Sequence, residues 1–205
     1  MAWEWGRLCR AGRPEASGAV LVGAVVGAVV GAVAGAALAG IAAGLALALV
    51  GATIVHLAAS RAPDSEPLWV AFGTLWVALP CILLLWLARD DGAGRGTLLW
   101  MFAIVWATDI GAYAIGRRFG GPRLAPRWSP RKTWAGLIGG AGCAALAGWA
   151  TAGLLGISSA LPLVLVSAGL AIVEQFGDLA ESVAKRRFGV KDSSGLIPGH
   201  GGLLD

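Results

Sequence analysis

"SGAVLVGAVVGAVVGAVAGAALAGIAAGLALALVGATIVHLAAS" occupies residues 17–60 and carries no formal charge until Arg61 follows it. A helix rises 1.5 Å per residue and a bilayer core is roughly 30 Å thick, so about 20 apolar residues make one crossing and this run holds two. Backbone amides inside a membrane must be satisfied within their own segment, which makes both crossings helices. The turn between them must be very short and falls near Ala36 to Gly40. Glycines at 23, 27, 31 and 35 recur every four residues, a stripe on one helix face that permits close helix packing. No strand precedes this run and no polar partner accompanies it, so it is not a nucleotide-binding fingerprint.

The rest of the chain continues the pattern. Hydrophobic residues make up 57% and charged residues 14%, more apolar side chain than a soluble domain of this length could cover with polar surface. Further spans are expected at about 67–88, 97–117, 135–156 and 160–184, separated by loops such as "RAPDSEP" and "GRRFGGPRLAPRWSPRKT". The expected fold is therefore all-α, a polytopic integral membrane bundle of about six transmembrane helices. Residues 1–66 form an N-terminal hairpin with a cytoplasmic tail, and residues 67–205 form the region that carries the chemistry. The opening "MAWEWGRLCRAGRPEASG" is that tail rather than a signal peptide, because the apolar run behind it is far too long for one. Cys9, Cys81 and Cys143 lie far apart without a CxxC, which argues against a metal or disulfide framework. No soluble basic face interleaved with aromatics is present, so nucleic acid is not an expected partner.

Charge sets the orientation. Arg7, Arg10 and Arg13 precede the first span; Arg61, the six cations between Arg117 and Lys132, and the four between Lys185 and Lys191 follow spans two, four and six. The intervening loops offer only Arg89 and Arg95, offset by Asp90 and Asp91. The positive-inside rule then puts both termini and the two basic segments in the cytoplasm.

Two helices carry ionisable groups where they are costly. The fourth span holds Asp109 and Tyr113, followed by Arg117; the sixth holds Glu174, Asp178, Glu181 and Lys185, at the i, i+4, i+7, i+11 spacing of one face. A hard cation such as Mg²⁺ would satisfy several such carboxylates, and the basic loops beside them would suit a polyphosphate or an anionic lipid head group. A proton relay needs the carboxylates but not the basic loops. In "PGHGG" the glycines let backbone amides approach phosphate oxygens, although Pro-Gly and Gly-Gly also mark plain turns.

"SVAKRRFGVKDSSGLIPGHGGLLD", residues 182–205, closely resembles the signature of the phosphatidate cytidylyltransferase (CDP-diacylglycerol synthase) family, which reads S-x-x-K-R, four residues, K-D, then P-x-H-G-G and D-R-x-D. "SPRKTWAG" (129–136) resembles the family's S-P-K-K-T-W-E-G, and "TDIGAYAIGRRFG" (108–120) its D-x-x-A-Y-x-x-G-R-x-F-G segment. Ala135 stands where the family has glutamate, and Ala184 where it has a larger apolar residue. The chain ends on Asp205, before the signature's next Arg and Asp, which reads as a truncated form.

The resemblance implies transfer of a cytidylyl group from CTP to phosphatidic acid with Mg²⁺, and a second cation is compatible with it. It implies Asp178 and Asp205 as metal ligands, with Asp109 and Glu174 in reserve. Lys185, Arg186, Lys191 and His200 would hold the reacting phosphates as catalytic groups. Ser129, Arg131, Lys132, Thr133, Ser182, Asp192, Gly201 and Gly202 would line the substrate site. Membrane lipids surround the protein, and a homodimer is expected from the resemblance alone. The competing expectations are an inactive remnant, a transferase using another lipid acceptor, and a proton-coupled transporter.

Overall fold

The computed structural model describes residues 1–9, 15–62, 65–90, 92, 94–198 and 201–204, with only the helical backbone given for residues 15–18. The elements in order are α1 (Ala2–Leu8), α2 (Glu15–Ala39), α3 (Ile41–Ser60), α4 (Pro67–Ala88), α5 (Gly94–Phe119), β1 (Arg123–Ala125), β2 (Ser129–Thr133), α6 (Trp134–Leu154) and α7 (Leu161–Arg187). Six of these helices, α2 to α7, are long and apolar enough to cross a membrane. The fold is the nearly all-α membrane bundle expected, with two additions. Part of the expected tail is helix α1, and the basic loop between α5 and α6 folds into the antiparallel β1–β2 hairpin, pairing Arg123 with Thr133 and Ala125 with Ser129.

The chain divides into two compact units, one of residues 1–90 with 185–205 and one of residues 91–184. In the first, the break between α2 and α3 is the single residue Gly40, whose φ of 91° a side chain would strain. The close packing of these helices does not use the whole glycine stripe. A Cβ at Gly35 would meet Leu47, but one at Gly23, Gly27 or Gly31 would meet nothing within 4 Å beyond its own helix among the described residues. Instead Ala28 and Ala36 of α2 face Gly51 and Gly44 of α3. The small residues sit on both helices, one position along from the stripe on α2, so backbone approach comes from pairing alanine against glycine.

Helix α1 is fastened to this unit through Trp5. Its indole is 1% exposed, donates from Nε1 to the Trp69 carbonyl at 2.9 Å, and packs against Phe72. It lies so close to Gly73 that any Cβ there would overlap the ring. Helix α7 ends in a Schellman turn: Val190 N–H donates to Lys185 O at 3.0 Å, Gly189 N–H to Arg186 O at 3.1 Å, and Gly189 takes φ 71°. The "RFG" of the signature is thus the helix stop that turns the chain into the glycine loop.

In the second unit, α5 and α6 run antiparallel in close contact. A Cβ at Gly136 would stand 2.9 Å from Ala112 O, and one at Gly140 3.0 Å from Thr108 O. Helix α7 joins them through Ile104, Ala144 and Ala171, and Trp100 Nε1 donates to Ser167 Oγ at 3.1 Å.

Candidate active site

The tight α5–α6 contact, with the hairpin between the two helices, leaves a cavity of about 620 Å³ in the second unit. Helix α5 contributes Asp109, Tyr113 and Arg117; the hairpin contributes Arg123, Arg131, Lys132 and Thr133; α7 contributes Gln175 and Asp178. Four cationic side chains therefore face two carboxylates, an excess of positive charge suited to a polyanion.

Lys132 is the group that most needs explaining. Its Nζ is shut off from solvent, pairs with Asp178, and has no hydrogen-bond acceptor beyond that ion pair among the described residues. An ammonium has three donors, and a buried one that lacks acceptors is costly. A phosphate oxygen in the cavity would supply them. Beside it, Arg117 Nη1 donates to Tyr113 Oη at 2.6 Å, which aims that guanidinium along the α5 face.

Thr133 lies at the junction of β2 and α6 and is 6% exposed. Its Oγ1 accepts from Gly136 N–H at 3.0 Å and caps α6, so its contribution to the cavity wall is coupled to holding the helix start. Ser129 is half-buried in the hairpin, paired with Ala125 through the backbone, and Arg131 is exposed at the cavity. Glu174 does not line the cavity; its carboxyl reaches Thr108 and lies within electrostatic range of Asp109 and Asp178. Gln175, the buried neighbour, takes the cavity position beside Asp178. Gln175 is one of the polar residues of the sixth span, but the charged stripe gives it no site role, although 175 and 178 share a face as i and i+3.

The remaining expected residues belong to the signature. Ser182 lies half-buried on α7. In the first unit, Lys185 is half-buried, while Arg186 donates to Val190 O at 3.3 Å. Lys191 and Asp192 are exposed in the following loop. Ile197 and Gly201 exchange a pair of backbone hydrogen bonds of 2.7 and 2.9 Å, and Gly202 lies against Glu4, Ser193 and Ser194. His200 and Asp205 lie outside the described residues.

Among the described residues, no three His, Cys, Asp or Glu side chains gather at metal-binding distance. The donor set that faces the cavity is Asp109 and Asp178. That does not make an all-protein cage, but it matches Mg²⁺, which binds through one or two carboxylates and completes its octahedron with water and substrate phosphate oxygens.

Six helices apolar and long enough to cross a membrane mark an integral membrane protein, and the cavity of its second unit, rich in cations and bearing two carboxylates, has a charge suited to a polyanion. The chain belongs to the cytidylyltransferase family, which it matches over residues 1–205. It is 47% identical over 137 residues to a phosphatidate cytidylyltransferase of Brucella suis biovar 1, covering 67% of this chain and 51% of the relative. To that of Haemophilus influenzae it is 42% identical over 143 residues, 66% of this chain and 50% of the relative. To that of Pseudomonas aeruginosa it is 41% identical over 214 residues, 100% of this chain and 77% of the relative. The chain thus spans about half the length of several of the curated relatives it matches.

Proposed function

We propose that this protein transfers a cytidylyl group from CTP to phosphatidic acid, giving CDP-diacylglycerol and pyrophosphate. The observation that carries the reading is Lys132, a buried ammonium that among the described residues has no acceptor beyond Asp178, in a cavity where cations outnumber carboxylates. The names of its relatives point the same way.

A phosphatidate oxygen attacks the α-phosphorus of CTP; the new P–O bond forms as the α–β bridge breaks and pyrophosphate leaves with the electron pair. The nucleophile is already anionic near neutral pH, so no general base is required, and His200 is not assigned one. The task is to hold two polyanions together and stabilise the charge that moves onto the leaving group. Lys132, Arg131, Arg117 and Arg123 suit that task by their placement at the cavity. By resemblance Asp178 and Asp205 would hold Mg²⁺, with Asp109 and Glu174 in reserve; of these, Asp109 and Asp178 face the cavity of the second unit. When bound, the ion would neutralise phosphate charge and polarise the attacked phosphorus.

Lys185, Arg186, Lys191, Ser182 and Asp192 complete the reading as phosphate-binding and loop-orienting groups. The same proposal includes a cytoplasmic site at a bacterial inner membrane, supported by the charge bias of the loops, and a homodimer.

The test is CDP-diacylglycerol formation from labelled CTP in mixed micelles of detergent and phosphatidic acid with Mg²⁺. Product that depends on both phosphatidate and Mg²⁺ supports the reading. No product from this chain or from a form lengthened past Asp205 overturns it, and CTP consumption with a different phospholipid alone reassigns the acceptor.

A further inference from the structure

Glu4 is a carboxylate in an unusual place: it is 1% exposed, on the seven-residue α1, beside the buried Trp5 that fastens that helix. Its Oε1 accepts from Ser194 Oγ at 2.7 Å and from Leu203 N–H at 2.8 Å; its Oε2 accepts from Leu204 N–H at 2.9 Å. The Met1 ammonium lies 3.1 Å from Oε2. Two consecutive backbone amides and a hydroxyl thus converge on one carboxylate, the arrangement by which a backbone nest holds an anion. The neighbouring glycine shows how closely the parts fit. A Cβ at Gly202 would overlap Glu4 Oε1, so the last glycine of "GHGG" is what lets the carboxylate reach the amides behind it.

We infer that Glu4 is a positioning residue for the signature loop. Its contacts bind Ser194 at the start of the loop and Leu203 and Leu204 at its end, and Ile197 pairs with Gly201 between them. The loop is fastened at both ends to a helix that is itself anchored by Trp5 in the aromatic cluster of α4. Leu204 immediately precedes Asp205 in the chain, and "PGHGG" lies between the two fastening points. A loop that must present groups to reacting phosphates gains rate from being held in one geometry, and misplacement by about 1 Å can cost about a hundredfold. The inference rests on the cytidylyl-transfer reading above for its effect on rate, while the clamp itself does not.

The experiment compares wild type with Glu4→Gln in the full chain, by hydrogen exchange and by steady-state cytidylyl transfer. Glutamine keeps the shape but turns one acceptor into a donor facing the loop. The Leu203 and Leu204 amides are expected to exchange about tenfold faster or more, since bonds to a charged acceptor are among the stronger ones. The rate at saturating CTP is expected to fall by about ten- to a hundredfold, with exchange in α2, α3 and α4 unchanged. Ser194→Ala, a gentler change at the same clamp, is expected to move both readouts in the same direction by less. Unchanged protection of the two amides in Glu4→Gln overturns the inference, and so does a loosened loop with an unchanged rate. Faster exchange throughout α1–α4 alongside the lost rate also overturns it, because Glu4 would then be a general structural group. If wild type makes no CDP-diacylglycerol, the cytidylyl-transfer reading fails, and the exchange data still decide whether Glu4 clamps the loop.

Discussion

Replacing Lys132 with methionine removes the charge from the cavity while keeping a chain of similar length. Two effects of this change can be separated by magnitude. For stability, Nζ is shut off from solvent, but the Asp178 side chain it pairs with is 51% exposed. A Coulomb estimate of about 4 kcal/mol for a 4 Å pair at an effective permittivity near 20 is therefore an overestimate. With the carboxylate free to turn to water and the cost of burying the ammonium relieved, the net loss is about 1 kcal/mol or less. For catalysis, the lost ammonium is one preorganised donor aimed at moving phosphate charge, and losing such a donor costs about 10² to 10³ in rate. Lys132→Met should thus remain folded with a nearly unchanged melting temperature and lose about 10² to 10³ in kcat/KM for CTP. Labelled-CTP transfer in phosphatidate mixed micelles and thermal unfolding in the same detergent measure both. Arg127, exposed in the hairpin turn and not lining the cavity, is the control; its alanine variant should stay within about twofold. A Lys132→Met enzyme as active as the Arg127→Ala control would refute the assignment of the ammonium to substrate phosphate.

Three further outcomes are expected. Gly136→Ala would place a Cβ 2.9 Å from the Ala112 carbonyl oxygen, a backbone atom that cannot rotate away; it should cost about 1–3 kcal/mol of stability in detergent, whereas Gly142→Ala, with open space around it, should be near neutral. Gly189→Ala forces a side chain into the left-handed turn at φ 71°, so it should cost about 1–2 kcal/mol and speed exchange of the Gly189 and Val190 amides at the end of α7. For Glu4, burial raises the pKa, but the hydrogen bonds from Ser194 and Leu203 and the Met1 ammonium outweigh it, leaving the pKa below the ordinary value of 4.5. A depressed carboxylate stabilises the fold fully above the unfolded-state pKa and loses that contribution as pH falls through the folded one. The extra protection of Leu203 and Leu204 in wild type over Glu4→Gln should therefore hold from neutral pH to about 5 and disappear well below 4.5, as read by hydrogen exchange across that range.

Part of the candidate cavity lining was legible in residue types and spacing because ionisable groups are expensive in a membrane. Asp109 and Asp178 stood out as carboxylates in apolar helices, and both line the cavity with Arg131, Lys132 and Thr133. What the spacing could not show was which neighbour turns inward. Gln175 rather than Glu174 faces the cavity, since the rotation of α7 is set by Ala171 packing against Ile104 and Ala144. Glu4 carried no spacing signal, because its partners are residues 194, 203 and 204, at the other end of the chain. A faint trace existed in Trp5, Leu8 and Cys9, whose helical spacing puts three buried residues on one side of α1 and its C-cap.

The sequence by itself determined the class of fold and which polar and charged residue types the candidate cavity could draw on. A bilayer gives apolar runs of about 20 residues little choice but the helix, and ionisable groups persist there only for a purpose. Six spans, their boundaries to within a few residues, and the carboxylate and cationic groups followed from that. Tertiary structure decided which small residues join α2 to α3, that the basic loop is a hairpin delivering Lys132 to Asp178, and that a buried glutamate near the N-terminus grips the glycine loop. These are contacts between residues distant in the chain. They depend on how far each helix is rotated and how closely two backbones approach, and local sequence periodicity fixes neither.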